Sequence, residues 1–208
     1  MSGQTCDACT VPSVPPASTG TGGIVTDANG LRGTFLYVER SRLSDVQMAL
    51  RVRDLSRASQ TWGTNVPIVS EDRFRSGPFS IIDIPNDADF RSTLRIYSLD
   101  SFDATPVLLR LYGRTDAPAA SPFAFTTDTL LGEATVTLAV ESIPTNTPYP
   151  TRPAFRELSD LSVIGNPKGH HQLRLEVTSL REGKRLWAFV SVTNNSTQHV
   201  TVLEPLIP

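Results

Sequence analysis

Apolar and polar side chains alternate with a period of two along most of this chain. In "GTFLYVE", Phe35 and Tyr37 alternate with Leu36 and Val38. "STLRIYSLD" sets Leu94, Ile96 and Ser98 against Thr93, Arg95 and Tyr97, and "PVLLRLYG" sets Val107, Leu109 and Leu111 against Leu108, Arg110 and Tyr112. "LLGEATVTLAV" turns Ala134, Val136, Leu138 and Val140 inward and Thr135 and Thr137 outward. "HQLRLEVTSL" alternates Leu173, Leu175 and Val177 with Gln172, Arg174, Glu176 and Thr178. Successive side chains of a strand point to opposite faces, so each pattern predicts a half-buried antiparallel strand. "FSIIDIP" reads as a short apolar strand closed by Pro85. In "VQMALRVRD", Met48, Leu50 and Val52 share one face, which predicts a strand; a short helix over "LSDVQMALRVRDLSR" is the rival reading.

The last segment is the most legible. "RLWAFVSV" carries Leu186, Ala188, Val190 and Val192 on one face, and Trp187, Phe189 and Ser191 on the other. The first is a core face, and the second begins large and ends polar, as under a covering loop. "NNSTQ" supplies turn-forming amides and hydroxyls, and "HVTVLEP" resumes until Pro205 ends the ladder. Asn194 and Asn195 each begin a glycan sequon.

No segment reads as a long, capped amphipathic helix, and β-branched residues crowd the periodic regions. Together these predict an all-β fold, a two-sheet antiparallel β-sandwich rather than βαβ units. Residues 1–30 are rich in Ser, Thr, Gly and Pro and predict a flexible arm. Residues 31–208 form one predicted sandwich domain, whose weakest join is the Pro-rich "ESIPTNTPYPTRPAF".

Composition adjusts this picture only slightly. The 208 residues are 39% hydrophobic, enough for a core that needs neither metal nor disulfide. A net charge of -2 and a pI near 5.9 argue against nucleic acid as a partner. No run of about 20 apolar residues predicts membrane insertion, and no signal peptide is visible. Lys168 and Lys184 are the only lysines among 19 basic residues. The arginine bias suits strand surfaces and interfaces, although a GC-rich coding sequence would produce it too.

Several residues could carry chemistry. Cys6 and Cys9, in "CDAC", are the only cysteines. They lie on the predicted arm, away from the helix start that activates a redox pair, so an exposed disulfide, an intermolecular crosslink or an ordinary terminal pair is expected. "DIPNDADF" places Asp83, Asn86, Asp87 and Asp89 within seven residues, a potential calcium loop that ordinary Asx turns explain equally well. Asp160 with His170 or His171 could be nominated for hydrolysis, and Glu133, Glu141, Glu157 and Glu176 for glycosidase chemistry. No nucleophile elbow or nucleotide-binding loop accompanies them. Trp62, Tyr97 and Tyr112 are the candidate ligand contacts, because planar rings on a sheet face stack on sugars or anchor interfaces.

The succession of "NGLRGTFLYVE", "STLRIYSLD" and "LWAFVSVTNNSTQHVTVLEP" resembles the immunoglobulin-like β-sandwich domains of secreted bacterial proteins, over residues 28–205. That resemblance implies a non-catalytic structural or protein-interaction module, located outside the cell, in the periplasm or on the surface. It also implies a protein partner or self-association. Carbohydrate binding through exposed aromatics is the alternative, with a hydrolase third. "TLRIYSLDSFDATPVLLRLYGRTD" and "LLGEATVTL" also look like parts of C2 domains, which would bring Asp100 and Asp103 toward Asp116 or Asp128 around calcium. The tight Asp-x-Asp loop of that family is missing here.

Overall fold

The computed structural model describes residues 21–26, 32–37, 41, 44, 47–52, 64–99, 104–115, 127–138 and 153–206. Four short strands come first: β1 (Thr21–Thr26), β2 (Arg32–Tyr37), β3 (Leu50–Val52) and β4 (Thr64–Val66). Eight more follow: β5 (Phe79–Pro85), β6 (Phe90–Ser98), β7 (Thr105–Thr115), β8 (Thr127–Leu138), β9 (Ala154–Leu158), β10 (Gln172–Ser179), β11 (Leu186–Asn194) and β12 (Val200–Leu203). The eight form two antiparallel sheets, ordered β5-β10-β7-β8 and β12-β11-β6-β9. The two sheets pack face to face, as the alternation predicts.

Their inner faces hold Ile81, Ile84, Leu94, Ile96, Val107, Leu109, Leu111, Leu175, Val177, Ala188 and Val190, all fully buried. Burying each Val, Leu or Ile of this set contributes about 1.5–3 kcal/mol against the entropy of ordering it. The inward set of β5 breaks strict alternation, since Ile81 and Ile84 are three apart. A bulge explains this. Between Leu173 and Leu175 of β10 there is one residue, whereas the facing Ile84 and Ile81 enclose two. The extra residue is absorbed by Asp83 at φ 57°, a left-handed conformation that Asp tolerates better than most side chains.

A second bulge interrupts β8 at Leu131, where Leu111 faces Gly132 and Tyr112 faces Leu130. The 3-10 turn Leu161–Val163 leads into a backbone crossing over that bulge. Gly132 and Gly165 meet there so closely that a Cβ on either would strike the other's backbone neighbourhood.

At the opposite side of the molecule the chain changes sheets. Arg75 exchanges backbone bonds of 2.8 and 2.7 Å with Leu186 of β11, and four residues later β5 pairs with β10 in the other sheet. Ser76, Gly77 and Pro78 make the step. In return, the Leu206 amide, just after β12, donates to the Ser80 carbonyl of β5 at 2.9 Å.

Three local expectations need correction. β1 lies within the first 30 residues, where a flexible arm was expected, and pairs with β2. Residues 50–52 are extended, which removes the helix reading there, but Met48 and Leu50 are 38% and 44% exposed rather than a core face. The Pro-rich join, finally, ends in a strand of its own: β9 starts directly after Pro153 and borders β6.

Candidate functional site

Tyr97 and Tyr112 do not share a surface. Tyr97 projects from β6 on the outer side of one sheet, and Tyr112 from β7 on the outer side of the other, so the sandwich core lies between them. Trp62, Cys6 and Cys9 lie outside the described residues.

Around Tyr97 the sheet is roofed over. Phe74, Trp187 and Phe189 form a second buried cluster with Val66, Val69, Leu99, Val202 and Tyr97. Ring centroids lie 5.3 Å apart for Trp187 and Phe189, 5.7 Å for Tyr97 and Trp187, and 5.0 Å for Tyr97 and Phe155. These are favourable tilted aromatic contacts. Trp187 is only 5% exposed, too little for a sugar to stack on it. Burial pushes the Tyr97 hydroxyl up to about 12, with Arg95 opposing the shift and Glu157 adding to it. Arg95 sits opposite Glu157, with Nε donating to Oε2 at 2.6 Å, and its guanidinium lies 5.7 Å from the Phe189 ring centre.

The Tyr112 face carries a ladder of charges. Arg110 bonds Glu133 at 3.4 Å and Glu176 at 3.2 Å, its cross-strand neighbours on either side. Those carboxylates, Glu176 foremost, raise the Arg110 pKa above its usual value. Arg174 donates to Asp128 at 2.6 Å and to the Ser80 hydroxyl at 3.3 Å, while its guanidinium covers Tyr112 at 3.9 Å. An open groove of about 310 Å³ runs beside it, between Asp83, Arg114 and Gln172. Arg114 and Asp83 approach to 3.7 Å there. Each charge on this face answers its neighbour, which is how a solvated sheet surface is stabilised.

The nominated catalytic and calcium residues are likewise committed to structure and dispersed. Asp160 accepts from the Ser162 amide at 2.8 Å and its hydroxyl at 2.7 Å, which lowers the Asp160 pKa and caps the 3-10 turn. The His170 ring lies flat against Gly113, where a Cβ would overlap it. His171 offers its carbonyl to the Asn86 amide. Glu157 belongs to Arg95, and Glu141 lies outside the described residues. Asp87 accepts from the Asp89 amide at 3.0 Å, an Asx turn. Asn86 donates to the carbonyls of Pro167 and His170, which ties two loops together. Among the described residues no three His, Cys, Asp or Glu side chains gather around a possible metal position. Asp128 of the C2-like reading serves Arg174, while Asp100, Asp103 and Asp116 lie outside the described residues.

The Asn194–Gln198 turn is braced the same way. Asn195 accepts from Arg91 at 3.1 Å and donates to the Ala88 carbonyl at 2.9 Å, and Gln198 accepts from the other Arg91 nitrogen at 2.9 Å. Its polar groups bind the neighbouring loop.

Another concave site lies among the described residues. Where the chain steps between sheets, a cavity of about 280 Å³ opens, with Phe79, Leu186, Trp187 and Leu206 as apolar wall and Arg73 and Arg75 at its rim. Leu206 is 55% exposed. Arg73 reaches Glu204 at 3.8 Å across solvent, a pair of little energetic weight. Arg75 makes no side-chain ion pair among the described residues, and its charge acts on Asp72 at longer range. The sequence signal was "RFRSGPF", an alternation stopped by Ser-Gly-Pro. Among the described residues no helix is long and apolar enough to cross a membrane. Compared with protein-family models, curated proteins and solved structures, the chain finds no match.

Proposed function

We propose that this chain is a non-catalytic, immunoglobulin-like interaction module of an extracellular or surface-associated protein, and that it grips an extended segment of a partner protein in the seam groove. One observation carries the reading: Arg75, a cation without an ion pair among the described residues, stands beside the exposed Leu206, with Phe79 and Trp187 buried behind it as the apolar floor. An arginine fork next to apolar side chains suits a carboxylate flanked by an aliphatic or aromatic residue. The dispersal of the nominated acids and histidines into structural bonds supports a binding role over a catalytic one.

The test is selection of peptides from a displayed random library on the full chain, followed by calorimetry. Enriched peptides should pair Asp or Glu with a large apolar residue. Arg75→Glu should weaken them about 10- to 100-fold, the equivalent of one charge-assisted hydrogen bond. No enrichment, or binding indifferent to Arg75→Glu, overturns the proposal. Glycan-array binding that disappears in Trp62→Ala would instead favour carbohydrate recognition.

A further inference from the structure

We infer that the second half of β8, Glu133–Leu138, is a self-association edge, where two copies of this chain pair antiparallel about a two-fold axis at Thr135. The edge is independent of the seam groove and concerns a different partner.

Exposed sheet edges are templates for pairing, and folds normally blunt them. Three edges of this sandwich are covered or interrupted. β5 is met by the Leu206 bridge. β12 is only four residues long and packs against β4 and β5. β9 is five residues long and turns Arg156 to the inner side, opposite Ile96, with its Nε buried and unpartnered. An inward charge on a short edge is a recognised guard against pairing. The first half of β8 is guarded too, by the bulge at Leu131 and the Gly165 crossing.

Among the described residues Glu133–Leu138 carries no bulge, crossing or backbone bridge, although β8 approaches β9 of the other sheet. It pairs with β7 in regular register from Glu133 to Leu138, and contains no proline, no lysine and no inward charge. On its other side it makes no backbone bond among the described residues. Its inward side chains Ala134 and Val136 pack on the core yet stay partly exposed, whereas Leu138 is fully buried. A strand laid alongside would complete that burial.

The segment is complementary to itself, which is why a second copy is the occupant. A two-fold axis perpendicular to the sheet keeps inner faces inner, so facing residues must have position numbers of even sum. Centring on Thr135 meets that condition and uses the whole regular stretch up to the crossing. Ala134 then faces Val136 of the other copy on the core side, and Thr135 faces Thr135 on the outer side. Glu133, the one ionised residue, faces Thr137 and keeps its own Arg110, so no like charges are brought opposite each other. The result is one continuous eight-stranded sheet with an isologous interface. A five-residue overlap buries less than stable complexes do, so the dimer is weak, with Kd on the order of 100 µM.

Sedimentation of the full chain, in reductant so that Cys6 and Cys9 link nothing, tests this from about 10 µM to about 1 mM, a range bracketing that Kd. Wild type should shift from monomer to dimer. Thr135→Asp and Thr135→Lys place like charges opposite themselves at an exposed position that the monomer's core does not use. Each alone should weaken the dimer at least about 5-fold, and an equimolar mixture should restore it. Arg75→Glu should leave the dimer unchanged, which separates this edge from the seam groove. A wild type that stays monomeric overturns the inference. So does a dimer that both variants leave intact, or a mixture no tighter than either variant.

Discussion

Replacing Phe189 by Ala asks whether the roofed outer face of β11 is part of the folded core. Phe189 is 1% exposed. Its ring meets Trp187 at 5.3 Å and stacks on Tyr97 at 6.2 Å, with the Arg95 guanidinium 5.7 Å away. Truncating a buried Phe costs about 3–5 kcal/mol, from lost transfer energy and from the cavity left behind. The aromatic contacts, about 0.5–1.5 kcal/mol each, are included in that figure. The cluster is thin, with the Val66–Phe74 segment, Leu99 and Val202 packed around it among the described residues, so partial collapse should hold the cost to about 3–4 kcal/mol. A residue on a plain solvent face would change stability by less than about 0.5 kcal/mol. Urea unfolding followed by far-UV circular dichroism measures the difference, with an unchanged m-value as the sign that only stability moved. The melting temperature should fall by roughly 6–16 °C, at about 2–4 °C per kcal/mol for a chain of this size. A loss below about 1 kcal/mol would refute the reasoning and return this face to the surface class.

Alkaline pH should weaken the fold through Tyr97. The unfolded chain releases that proton near 10 and the folded one near 12. The folded state therefore holds a proton that the unfolded state has lost, and stability declines as pH rises between those values. The slope should approach about 1.4 kcal/mol per pH unit, and unfolding curves of Tyr97→Phe should lack that share of it. Gly113→Ala should cost about 1–3 kcal/mol by driving the His170 ring off β7, and the added substitution His170→Ala should recover most of the loss in thermal melts.

How far the sequence could be read follows from where each signal comes from. β6, β7, β10 and β11 have one buried and one open or thinly covered face, so their period of two is written in side-chain type, and the inward set is the expected one. The large-to-polar grading of Trp187, Phe189 and Ser191 also reported its cover correctly. β5 was harder, because a bulge puts Ile81 and Ile84 on one face and no pattern announces Asp83 at positive φ. β9 is too short for a period, and Arg156 on its inner side contradicts the usual alternation. Tyr97 and Tyr112 looked like companions because their strands are adjacent in sequence. Here β6 and β7 belong to opposite sheets, and side-chain pattern carries no record of that. The seam groove left only the Ser-Gly-Pro break of "RFRSGPF" in the sequence, since Arg75, Trp187 and Leu206 meet only through topology.

The exchange at that seam also determines how the domain bears load. Arg75, ahead of β5, is bonded to the sheet that holds β12, and Leu206, behind β12, is bonded to the sheet that holds β5. Each end of the sandwich strand series is therefore hooked into the other end's sheet, like crossed fingers. Tension applied between residues 74 and 206 therefore falls on these two backbone contacts first. Each contact ties one end of the strand series to the sheet that holds the other end, so fraying from either end has to break a bond to the opposite sheet.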